Sequence, residues 1–61
     1  MERGTVREWD GSRGLIAIEG SGQEVNVYSS GVLDNIRVGD RVVFGVAEGA
    51  AGPSATNVRL A

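Results

Sequence analysis

Apolar side chains fall at alternate positions in short runs, and clusters of polar and turn-forming residues separate those runs. A period of two marks a strand with one face on a core. The first run predicts a strand from Arg3 to Trp9, with Val6 inward and Thr5 and Arg7 on the other face. Asp10, Gly11 and Ser12 follow, and an Asp-Gly pair is a strong hairpin signal. A second strand is expected from Gly14 to Glu19, placing Ile16 and Ile18 inside and Leu15 and Ala17 outside. After the turn at Gly20 to Gln23, a third is expected from Glu24 to Tyr28, with Val25 and Val27 in and Asn26 and Tyr28 out. Arg37 to Arg41 predicts a turn into a fourth strand whose Val42, Phe44 and Val46 share the core face. Glu48 to Pro53 reads as the last turn, and Ser54 to Leu60 as the last strand, with Ala55 and Val58 inside. Nothing sustains a 3.6-residue period over three turns, so the pattern is that of a small all-β barrel or sandwich.

Composition narrows the chemistry. With 61 residues the chain makes one small domain, residues 1–61. A domain of that size buries only about 60% of its unfolded surface. It has no cysteine and no histidine, so disulfides, thiolate metal sites and the commonest general base are all missing. No paired carboxylates or serine–base arrangement is spaced for catalysis, so neither an enzyme nor a cofactor is expected. No apolar run approaches the roughly 20 residues of a membrane span, and Met1-Glu2-Arg3-Gly4 opens without an apolar leader. A cytoplasmic location is the expectation. Six arginines and no lysine stand against eight acidic residues, for a net charge of −2. A basic footprint is the usual signature of nucleic-acid binding, and the chain as a whole lacks one, which argues against a binder.

One stretch connects pattern to function. Arg13-Gly14-Leu15-Ile16-Ala17-Ile18 resembles the second strand of the cold-shock domain family, where the run is basic, Gly, Phe, Gly, Phe, Ile. The basic residue, the first glycine and the final isoleucine are kept, while Leu15 and Ala17 stand where the family has its rings and Ile16 replaces the middle glycine. The ending Gly52-Pro53-Ser54-Ala55-Thr56-Asn57-Val58 also matches. The framework similarity runs from Gly4 to Val58 through Val6, Val25, Val27, Ser30, Gly39, Val42, Phe44 and Gly49. The chain is therefore similar to a bacterial cold-shock-like protein with a degenerate nucleic-acid-binding motif.

The resemblance implies an all-β fold, a five-stranded antiparallel barrel of the OB type, and single-stranded RNA or DNA as the partner. The family's stacking face corresponds to positions 8, 9, 15, 17, 26, 28 and 29, held here by Glu8, Trp9, Leu15, Ala17, Asn26, Tyr28 and Ser29. Only Trp9 and Tyr28 are aromatic. At about 1–3 kcal/mol per stacked base, five missing rings forfeit at least roughly 5 kcal/mol, or on the order of 10³ to 10⁴ in affinity. The implied binding set is Arg7, Trp9, Arg13, Leu15, Ala17, Asn26 and Tyr28, with the arginines on phosphate and Asn26 on a base edge. The connection at Leu33 to Ile36 is shorter than the family's mobile, aromatic-bearing loop. Plainer roles compete: Trp9 as a cap on the barrel end, Tyr28 as a good strand former, Arg7 and Arg13 as solvated charges. The alternative function is a protein-interaction or regulatory module on the same barrel, meeting its partner around Leu15, Ala17 and Tyr28. Phosphate contacts weaken steeply with salt and apolar contacts do not, which separates the two readings.

Overall fold

A computed structural model describes all residues, 1–61. Five strands account for most of the chain: β1 (Glu2–Trp9), β2 (Arg13–Ile18), β3 (Glu24–Tyr28), β4 (Arg41–Gly49) and β5 (Gly52–Leu60). A single 3₁₀ turn, Ser29–Gly31, follows β3. No helix is long and apolar enough to cross a membrane. The strands close into a barrel in the order β1-β2-β3-β5-β4, with β4 returning to β1.

All neighbours in this ring are antiparallel except β3 and β5, which run parallel and meet at one ladder pair, Asn26 with Ser54. The expected five-stranded barrel is present, with one parallel pair among its antiparallel ones, and the reason is arithmetic. Strand directions cannot alternate all the way round a closed ring with an odd number of strands. One pair must be parallel, and it falls between β3 and β5, which β4 separates in sequence.

The core is Val6, Ile16, Val25, Val27, Ile36, Val42, Phe44, Ala55 and Val58, with no polar side chain among them. Two expected core residues lie outside it. Val46 is 41% exposed, and Ile18 is half-buried, packed against the cluster from its margin. Both have the inward parity but stand where the β4–β5 hairpin and the end of β2 project past the closed part of the barrel. There they line a small shared groove with Pro53. Ile36, read as part of a loop, is buried instead.

That connection is stitched down along its length. Val32 bridges to Val58, the Leu33 amide donates to the Val58 carbonyl at 2.8 Å, and Asp34 Oδ2 accepts from the Leu60 amide at 2.9 Å. The turn from Arg37 to Asp40 then docks on β1: Gly39 donates to the Val6 carbonyl and Val6 donates to the Asp40 carbonyl. Gly39 has φ +96°, the left-handed region glycine enters without steric cost.

Two irregularities shape the barrel. In β1 the register slips between Val6 and Glu8, leaving Arg7 as the extra residue of a bulge. In the β4–β5 ladder, Val43 faces Arg59 but Gly45 faces Thr56, so β5 carries the extra residue. Asn57 lies in that bulge at φ +50°, a conformation asparagine tolerates better than most side chains.

Candidate functional site

The outer face of β1, β2 and β3 can be read off the ladder. Arg13 lies opposite Tyr28; Glu8, Leu15 and Asn26 form the next row; Thr5, Ala17 and Glu24 form the row beyond. At the end of β1, Trp9 pairs with Gly14. A Cβ on Gly14 would overlap the Glu8 carbonyl oxygen and come within 2.9 Å of the Trp9 Cα, so only glycine lets β1 close this tightly over β2. The close approach sets Trp9 where it both packs against the core and faces the open groove. The cap and the binding wall are the same ring.

The groove has a volume of about 670 Å³, within the usual range for small-ligand sites. Of the seven residues in the expected binding set, six line it: Arg7, Trp9, Arg13, Leu15, Asn26 and Tyr28. Ala17 does not; it is half-buried one row away, between Thr5 and Glu24. Asn26 lines the groove and is also bonded elsewhere. Its Nδ2 donates one N–H to the Pro53 carbonyl at 3.4 Å, tying β3 to β5 across the parallel seam and leaving its second N–H and its Oδ1 for other partners. Tyr28 is 39% exposed.

Glu8, Asp10, Gly14 and Val38 complete the lining. Val38 is the residue the sequence pattern missed. Its turn belongs to a different part of the chain, and only the docking of Gly39 and Asp40 onto Val6 brings it beside Trp9 and Arg7. A glycine-containing turn before β4 was visible, but not the strand it leans on.

The charges are balanced, Arg7 and Arg13 against Glu8 and Asp10. The Asp10 carboxylate is structural as well as charged. Its Oδ1 accepts from the Arg13 amide at 2.8 Å, the Ser12 amide at 2.9 Å and the Ser12 hydroxyl at 3.2 Å, closing the β1–β2 turn. These bonds, led by the Arg13 and Ser12 amides, hold its pKa below the ordinary aspartate value. Arg13 is therefore placed by a turn whose anchor lies three residues before it. No group of three or more metal-ligating side chains forms anywhere in the chain. The groove offers two rings, two guanidinium groups and an apolar wall of Leu15 and Val38. It can stack flat rings and pair with anions.

No family model matches the sequence, and no curated protein does. Among solved structures the chain is similar to a Drosophila protein described as "drosophila Unr CSD456", with a TM-score of 0.83 and 21% sequence identity. The match covers 98% of this chain and 26% of that one, so the chain spans about a quarter of the solved structure it resembles. At that identity the likeness concerns the fold, a cold-shock-like five-stranded barrel.

Proposed function

We propose that this protein is a low-affinity binding module for single-stranded RNA or DNA, and not a catalyst, of the bacterial cold-shock-like type with a reduced stacking face and a cytoplasmic setting. One observation carries the reading: on a cold-shock-like barrel, Trp9 and Tyr28 share one groove with Arg7 and Arg13. Rings stack on bases of any sequence, at about 1–3 kcal/mol each, and guanidinium groups pair with phosphate oxygens. With two rings, affinity stays low. With two arginines, the salt dependence is a slope of about −1.4 in log K against log salt for two phosphates on a single strand, where an apolar contact would show almost none.

The test is a titration with oligothymidine followed through the emission of Trp9, the chain's single tryptophan. Binding should weaken with salt at about that slope, and Arg13→Ala should lower both the affinity and the slope, the latter to about −0.7. Tight binding that ignores salt, or an Arg13→Ala variant with unchanged slope, counts against the proposal. The apolar wall of Leu15 and of Val38, 60% exposed, favours the second reading, a protein-interaction module. That reading takes over if no oligonucleotide quenches Trp9.

A further inference from the structure

Two grooves meet near Asn26, one on the outer face of β1 to β3 and one at the open end of the barrel, and they differ in charge. On one side of Asn26 lies the groove with Trp9, Tyr28, Arg7 and Arg13. On the other lies the smaller groove of about 320 Å³, where Ile18, Val46 and Pro53 are flanked by Glu24 and Glu48 with no cation in the lining. The Asn26–Pro53 hydrogen bond runs between them, since Asn26 lines the first and Pro53 the second. Beyond the row of Leu15 and Asn26, the next row is Thr5, Ala17 and Glu24, which has no ring and ends in a carboxylate. Arg41, the register partner of Thr5, is paired with Glu19 at 2.9 Å.

We infer that the first groove accepts a segment of two nucleotides, and that Glu24 and Glu48 end the path of any longer strand. The inference rests on the nucleic-acid reading above and names the size of its ligand. Two rings hold two bases, and two guanidinium groups hold two phosphates. A third phosphate carried past Asn26 into the smaller groove meets two carboxylates over an apolar floor, where like charge repels it and no cation lines the groove. The ligand class is thus a short single-stranded element, such as a strand end or a looped-out pair of bases, not an extended single strand.

The experiment compares 5′-phosphorylated dithymidylate with hexathymidylate over one shared series of salt concentrations, by Trp9 emission. After correction for the number of registers a two-nucleotide site has on the longer strand, the two affinities should agree within about threefold, with equal salt slopes. A corrected hexamer affinity more than tenfold above that of the dinucleotide overturns the two-nucleotide footprint while leaving the nucleic-acid reading intact. Failure of both oligonucleotides to bind overturns both. Glu24 and Glu48 are exposed, so the double variant Glu24→Gln, Glu48→Gln should fold. It should gain at least about fivefold for the hexamer and leave the dinucleotide unchanged. Equal gains for both would show a general field effect and remove the carboxylates' role as a terminus.

Discussion

Leu15 and Ala17 are two residues apart on the same strand face, yet they make different predictions. Leu15 lines the groove beside Asn26, and Ala17 lies one row outside it, paired with Glu24. A phenyl ring at position 15 therefore stands inside the groove, where the proposed ligand would stack on it. Leu15→Phe is expected to raise oligothymidine affinity by about 1–3 kcal/mol, roughly fivefold to more than a hundredfold. Ala17→Phe is expected to change it little. Equal gains from the two variants, read in the same titration, would place the ligand across the whole face. The sequence alternation placed both residues outward and could not distinguish them, because the difference is made by the boundary of the groove and not by the strand. Nor could it show that Asn26 bonds to Pro53, a residue 27 positions away. Arg13 and Tyr28 were legible from strand parity, and Trp9 only from its place beside the turn, because the bulge at Arg7 reverses the alternation there.

At the scale of elements, the β1–β2 turn carries a pH dependence. Asp10 has its pKa lowered in the folded protein, so it contributes stability above the ordinary aspartate pKa of about 3.9, and that contribution is lost as pH falls through the lower folded value. Asp10→Asn keeps an oxygen acceptor for the turn but does not titrate. The difference in urea midpoint between the parent and Asp10→Asn should be constant from pH 5 to 7 and shrink below about pH 4. A difference that grows on acidification would contradict the assignment.

The 32–40 connection gives a second element-scale prediction. Ile36 is 3% exposed within the core, so Ile36→Ala should cost about 2–4 kcal/mol in chemical denaturation, a core-sized loss from a loop position. A cost under about 1 kcal/mol would mean that the connection is not part of the barrel. The five strands were readable from alternation and turns, with ends shifted by only a few positions. The connection was not, because a single apolar residue between turns has no period. Its burial depends on hydrogen bonds to β5 and β1 made far along the chain.

For the whole molecule, size and closure govern. The Cα radius of gyration is 9.8 Å, against about 10.5 Å for a compact chain of 61 residues. The framework glycines explain part of this compactness. Gly4 and Gly14 let backbones approach where any side chain would collide with the facing carbonyl oxygens of Ala17 and Glu8. The all-β barrel was legible from the matched framework, but the parallel pair was not. It follows from the parity of a closed ring, which no local stretch of sequence encodes. The exposed ends of Ile18 and Val46 were missed for a related reason: alternation tells which way a side chain points, not how far along the strand the barrel remains closed.

The parallel pair has a consequence for motion. Elsewhere the strands are joined by runs of ladder pairs, whereas β3 and β5 share one. Beyond that pair, the Asn26 side chain, the Val32–Val58 bridge and the Leu33 amide hold the seam. Few hydrogen bonds need to break for the barrel to part there, so its breathing should begin at this latch. In native-state hydrogen exchange the Leu33 amide should lose its proton on the order of a hundredfold faster than the amides of Val42 to Phe44, which lie between β1 and β5. Equal protection would mean that the ring opens as a unit. If the latch does yield first, the Asn26 carboxamide at the wall of the groove moves with it, and a ligand seated there feels each opening as a change in the shape of its own site.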